Sequence, residues 1–100
     1  MYRMTILYGQ PADLDAFRAY YYDTHIPIAR EMKGLTGWNL SWTEPGAPYA
    51  LVAELYTESR EALQQMLDSP EGRAASADLA NFVTGTVEFL QGEEEEVALV

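Results

Sequence analysis

Trp38–Thr57, WNLSWTEPGAPYALVAELYT, holds two strands and the turn that joins them. Trp38, Leu40 and Trp42 alternate with Asn39, Ser41 and Thr43, the period-two pattern of a strand with one apolar face. Glu44-Pro45-Gly46-Ala47-Pro48 is the strongest turn signal in the chain. Tyr49–Thr57 follows as the most β-like run, with Leu51, Ala53 and Leu55 on one side and Val52 and Tyr56 on the other. A hairpin therefore sits at the middle of the sequence.

Each side of the hairpin carries a helical segment and a further strand. Tyr2, Met4, Ile6 and Tyr8 alternate with Arg3, Thr5 and Leu7 until Gly9 and Pro11 end the pattern. Asp13 or Ala12 then caps a helix with Leu14, Phe17, Tyr21 and Ile28 at helical spacing, closed by Gly34. Beyond the hairpin, Ser59 caps a helix carrying Leu63, Met66 and Leu67. Ser69-Pro70-Glu71 starts another, with Pro70 in the first turn, where a missing N–H costs nothing. Ala75, Leu79, Phe82 and Val83 form its apolar stripe, and Thr84–Leu90 reads as a fourth strand.

The order β-α-β-β-α-β specifies an α+β chain. Right-handed crossovers fold the two halves into one ferredoxin-like antiparallel sheet, with both helical segments on one face. The other face is not polar enough to lie bare in water, because Val52 and Tyr56 point toward it. The expectation is a homodimer in which a second copy covers that face, giving a dimeric α/β barrel. The domain is expected over residues 1–92. Residues 93–100, with the run Glu93–Glu96 and then Val97-Ala98-Leu99-Val100, form an acidic tail that is either solvated or an edge strand for the partner.

Composition narrows the function. The 100 residues are 48% hydrophobic, enough for one core without metal or disulfide staples, and include no cysteine. Thiol nucleophiles and Cys-held zinc or iron–sulfur centres are thereby removed. Sixteen acidic against six basic residues give a charge of −10, which repels phosphate backbones and anionic lipid, so neither nucleic acid nor membrane is expected as partner. No apolar run approaches the 18 or so residues of a membrane span. Met1–Gly9 has no charged lead into an apolar stretch, and a cytoplasmic location is expected.

His25 is the one histidine. It lies four residues after Tyr21 and eight after Phe17, on the inward stripe, and two before Pro27. Pro27 has no N–H for the carbonyl of Asp23 and disfavours helical geometry at Ile26, so the helix is expected to kink or break between Thr24 and Pro27. An imidazole on that bend either packs in the core or looks into a cleft as a proton-transfer group. Tyr21 faces inward between Tyr20 and Tyr22; with Trp38 and Trp42 it either seals a helix–sheet seam or walls a ligand pocket. Glu54 and Glu88 are further carboxylates in strands, either functional or at a solvated margin. There is no nucleophile elbow around a serine, no histidine pair spaced for metal and no glycine-rich phosphate loop, so neither a metal nor a cofactor is expected.

Phe17…Tyr21…His25-Ile26-Pro27-Ile28-Ala29, Gly34-Leu35, Pro48-Tyr49…Ala53-Glu54-Leu55-Tyr56, Ser69-Pro70-Glu71-Gly72 and Ala77-Asp78-Leu79-Ala80-Asn81-Phe82 together resemble the EthD family, over roughly residues 2 to 90. The resemblance implies the same dimeric barrel and a small organic ligand between sheet and helices. The family's His-x-Pro element falls on His25 and Pro27, and the aromatic before it on Tyr21. The chain departs from the family at Met32-Lys33, where relatives often carry a proline, and in its acidic tail. Members are often labelled oxidoreductases, and related barrels include cofactor-independent monooxygenases, lactone isomerases and polyketide cyclases. The resemblance thus implies an oxidoreductase acting on a small aromatic or carbonyl compound, with His25 moving the proton and Tyr21, Trp38 and Trp42 shaping the pocket. A cofactor-independent isomerase or cyclase, or a non-catalytic ligand-binding or accessory module, stand as the alternatives.

Overall fold

The computed structural model describes residues 1–100. Its elements are β1 (Tyr2–Gly9), α1 (Leu14–Tyr20), a π-helical turn (Tyr21–His25), α2 (Ile26–Ala29), β2 (Gly37–Trp42), β3 (Tyr49–Thr57), α3 (Arg60–Asp68), α4 (Pro70–Phe82) and β4 (Val87–Glu93). The four strands form one antiparallel sheet in the order β2-β3-β1-β4. This is the ferredoxin-like arrangement expected from the element order, with the helices on one face.

Register follows the alternation. Tyr8 pairs with Leu51, Ile6 with Ala53 and Met4 with Leu55, so the apolar sides of both central strands lie together beneath the helices. All six are buried, and Phe17, Tyr21, Leu63, Met66, Ala75 and Phe82 close over them. The opposite face is mixed. Leu7, Val52 and Tyr56 are half-buried there, Leu90 is 53% exposed, and Arg3 lies 3.5 Å from Glu54 and 3.8 Å from Glu94.

Helix starts are fixed by side-chain caps. Asp13 accepts from the N–H of Ala16, Ser59 from Ala62 and Ser69 from Gly72, each at 3.0 Å. Ser69 serves two helices, since its hydroxyl also donates to the Met66 carbonyl at the end of α3. The α3–α4 corner is so tight that a Cβ on Gly72 would lie 2.1 Å from that same carbonyl oxygen.

Two elements differ from expectation. The first helix does not break before Pro27. It widens by one residue into the π turn, in which the Ile26 N–H bonds to the Tyr21 carbonyl, and α2 then carries Pro27 near its start. The shift of register accommodates a residue without an N–H and preserves the helix. The fourth strand begins at Val87 and runs to Glu93, because pairing with β1 sets its ends: Tyr8 faces Val87 and Tyr2 faces Glu93. Glu93 therefore lies in the sheet, and the Glu94 N–H still bonds to the Met1 carbonyl at 2.9 Å. Thr84–Thr86 is a connector, pressed so closely on Gln10 that a Cβ on Gly85 would meet the Gln10 carbonyl oxygen at 2.6 Å.

Candidate functional site

The π turn sets Tyr21 and His25 side by side, with ring centroids 5.3 Å apart. The imidazole also packs on Phe82 of α4, at 4.8 Å, and is 5% exposed. Its partner is Asp78, one turn before Phe82 and 4% exposed. His25 Nδ1 lies 2.9 Å from Asp78 Oδ2, while Asp78 Oδ1 accepts from the Tyr20 hydroxyl at 2.6 Å and from Asn81 Nδ2 at 2.9 Å. Burial alone would push the Asp78 carboxyl up. Hydrogen bonds from Tyr20, Asn81 and His25, with the attraction of the His25 charge, outweigh it and hold the group below its ordinary value of 3.8. Asp78 is thus a carboxylate at neutral pH and accepts from Nδ1–H; whenever the ring is neutral, that places the free lone pair on Nε2.

That second nitrogen has somewhere to look. A cavity of about 200 Å³ lies between sheet and helices, lined by 16 residues of which 12 are hydrophobic, and His25 is part of its wall. The sheet contributes Met4, Ile6, Tyr8, Trp38, Leu55 and Phe89; Tyr21, Ala29, Met32, Leu67 and Leu79 come from the helical side. His25 Nε2 makes no hydrogen bond within the protein, yet it is not among the polar atoms sealed from solvent. Two polar atoms of other lining residues, the Tyr8 hydroxyl and the Trp38 indole nitrogen, are sealed from solvent and cavity alike and make no hydrogen bond. Burial, with smaller contributions from Tyr21 and Asp78, pushes the Tyr8 phenol well above its ordinary value of 10.0. The Tyr21 phenol is also raised by burial. The Trp38 N–H beside that phenol opposes part of the shift.

His25, Tyr21 and Trp38 therefore share one cavity. Trp42 does not line it: half-buried, it packs edge-on against Phe17 and Tyr21, lies 4.7 Å from the Arg18 guanidinium and donates to the Tyr22 hydroxyl at 2.8 Å. Glu54 and Glu88 project from the opposite sheet face, the first beside Arg3 and the second accepting from the Tyr49 hydroxyl at 2.7 Å. Asp78 and Tyr8 were not singled out from the sequence as site residues. Asp78 had a signal, since it falls three residues after Ala75 and four before Phe82, on the buried stripe where a carboxylate needs a partner.

Comparison with known proteins agrees with this architecture. The sequence profile of the EthD domain matches residues 9–86. The chain belongs to the EthD family. A Rhodococcus erythropolis relative, the uncharacterized 11.0 kDa protein of the thcB-thcC intergenic region, is 41% identical over 97% of this chain and 98% of its own. Among solved structures, an EthD family protein of Bacillus halodurans C-125 superposes with a TM-score of 0.87 at 31% identity, covering 95% of this chain and 99% of that one. SnoaB from Streptomyces nogalater, a cofactor-independent oxygenase, superposes at 0.67 with 14% identity over 96% and 93% of the two chains, which shows a shared fold. In this EthD-family chain no three His, Asp or Glu side chains are gathered to hold a metal, and no helix is long and apolar enough to cross a membrane.

Proposed function

We propose that the chain binds a small aromatic or carbonyl compound in the cavity and that His25 moves a proton on it. The observation that supports this reading is the Asp78–His25 pair, which fixes one ring nitrogen as a donor and leaves the other without a protein partner on a residue that lines an apolar cavity. An oriented, desolvated imidazole is suited to take a proton from a carbon beside a carbonyl or from a phenol. The carbanion or phenolate so formed has two fates. Returned to the same molecule at another position, the proton completes an isomerisation; where the carbanion first adds to a second carbonyl carbon of the same molecule, opening its C=O π bond, the alkoxide takes the proton and a cyclisation is complete. Attack on dioxygen forms a C–O bond, and the peroxide accepts the proton from His25; this is the oxidoreductase branch, and SnoaB is an oxygenase without cofactor on the same fold.

The test is deuterium exchange. With 1-indanone as probe, the wild-type protein is expected to speed solvent deuterium into the position beside the carbonyl, and His25→Gln to lose that acceleration. Equal exchange by the two proteins refutes the proton-transfer role. Binding of the ketone with no acceleration in either supports the ligand-binding module instead.

We further propose that the protein works as a cytoplasmic homodimer, a second copy covering the sheet face that carries Leu7, Val52, Tyr56 and Leu90. Half-buried apolar side chains on a face with no helix support it.

A further inference from the structure

The cavity beside His25 has two ends, and the strand register tells them apart. His25 packs on Tyr21 and Phe82, and both of those rings pack on Tyr8, with centroids 5.9 and 6.2 Å away. The histidine therefore lies toward the Tyr8 end of β1. Across the sheet Phe89 faces Ile6 and Gln91 faces Met4, so Gln91 lies toward the other end. Tyr8 and Met4 are four residues of strand apart, about 13 Å. On α4 the wall runs from Gly72 to Leu79, about 10 Å of helix. The cavity is an elongated slot.

Exposure along the slot is uneven. His25, Met4, Ile6, Leu55 and Ala75 are buried, whereas Ser76, Phe89 and Gln91 are exposed. The mouth thus lies between the edge strand β4 and α4, and the imidazole sits at the closed end. The amide of Gln91 is anchored on one side only. Its Oε1 accepts from the Tyr2 hydroxyl at 3.2 Å, and Tyr2 does not line the cavity. Its NH₂ makes no hydrogen bond within the protein and is the end left for whatever fills the mouth. No lysine, arginine or carboxylate lines the walls, so a charged end group would have no counter-ion there. A volume of about 200 Å³ compares with the roughly 150 Å³ that holds benzene, room for one ring and the start of a chain.

We propose that the ligand is an uncharged single-ring compound with a short chain, its phenol or carbonyl end at His25 and its chain carrying an oxygen that accepts from the Gln91 amide at the mouth. This rests on the proposed use of the cavity and narrows its substrate class, with Gln91 as the residue that sets specificity. Calorimetric titration with 2-(4-hydroxyphenyl)ethanol, 4-propylphenol and 4-hydroxyphenylacetate tests it by binding alone. Wild type is expected to bind the alcohol about tenfold more tightly than the carboxylate. Gln91→Leu is expected to weaken the alcohol about two- to tenfold, the worth of one neutral hydrogen bond, and to leave 4-propylphenol no weaker. Gln91→Lys is expected to tighten the carboxylate about tenfold. Asn39→Lys adds the same charge at an exposed site beside Glu54, on the opposite sheet face, and is expected to change little. Equal gains in the two lysine variants, no gain in either, an alcohol indifferent to Gln91→Leu, or no binding of any probe at millimolar concentration overturns the proposal. Gln91-dependent binding without deuterium exchange into 1-indanone retains it and refutes the proton-transfer reading. Exchange that His25→Gln abolishes, with binding indifferent to Gln91, does the reverse.

Discussion

Asp78→Asn separates the two jobs that the carboxylate does. The new amide oxygen can still accept from Tyr20 and Asn81, where Oδ1 accepts at 2.6 and 2.9 Å. Its NH₂ then faces His25 Nδ1, where the carboxylate stood at 2.9 Å. An NH₂ needs an acceptor, so the neutral ring must give up the Nδ1 proton and carry it on Nε2 instead. All three hydrogen bonds survive as neutral ones, and what is lost is their charge assistance, most of it at the buried bond to His25. Charged hydrogen bonds contribute about 1.5–3 kcal/mol and neutral ones about 0.5–1.5, so the stability cost is about 1–2 kcal/mol. Function should suffer far more, because Nε2 as a donor cannot take a proton; the loss is the full general-base contribution, about 10²–10⁴-fold. With a single histidine in the chain, ¹⁵N NMR of the imidazole reads the tautomer without assignment work. At a pH where the ring is neutral, wild type is expected to show the proton on Nδ1 and the variant on Nε2. The pH profile is a second reading. Because the folded-state value of Asp78 lies below its ordinary 3.8, its stabilisation is complete above that pH and lost as pH falls through the lower folded value. Urea melts of wild type and variant should therefore differ at neutral pH and converge in acid. A variant with unprotonated Nε2 and wild-type exchange would refute the reasoning.

Two further outcomes follow from packing. Gly72→Ala places a methyl 2.1 Å from the Met66 carbonyl oxygen and 2.7 Å from that of Leu67, backbone atoms that cannot swing aside; a loss of about 3 kcal/mol in denaturant unfolding is expected, and a loss under about 0.5 would show that the corner yields. Sedimentation at micromolar concentration should give a mass near twice the 11.2 kDa of one chain, and a mass of one chain would refute the covered sheet face.

The fold was legible because its signals are local. Alternation in β1 and β3, the Glu44–Pro48 turn and the caps at Asp13, Ser59 and Ser69 each lie within a few residues of what they determine. The misread elements are those decided from afar. Pro27 announces only that one hydrogen bond is missing; whether the helix breaks or widens depends on what Tyr21 and His25 pack against, and here Tyr8 and Phe82 hold the helix together through the π turn. The start of β4 is set by the strand it joins. Trp42 shows the same limit within the site. It shares a strand face with Trp38, as alternation requires, but four residues of strand set the two about 13 Å apart, and only Trp38 lines the cavity. Asp78 lies 53 residues from His25, a separation that no spacing rule links.

The polar groups around Asp78 are not scattered. His25 and Asp78, both buried, bond with half-buried Tyr20 and exposed Asn81 in one cluster, and of the four only His25 lines the cavity. Well-packed apolar residues of the same shape often hold a fold as well or better, because a buried charge seldom repays its desolvation. Stability alone therefore does not explain a carboxylate–imidazole pair buried beside the cavity, whereas use of the imidazole at that cavity does. The charge around the cavity bears on what it admits. None of the six basic residues reaches the cavity, in a chain with sixteen acidic ones, so an anion is repelled on approach and unpaired on arrival. A neutral molecule with an oxygen to accept and a proton to lose meets neither barrier.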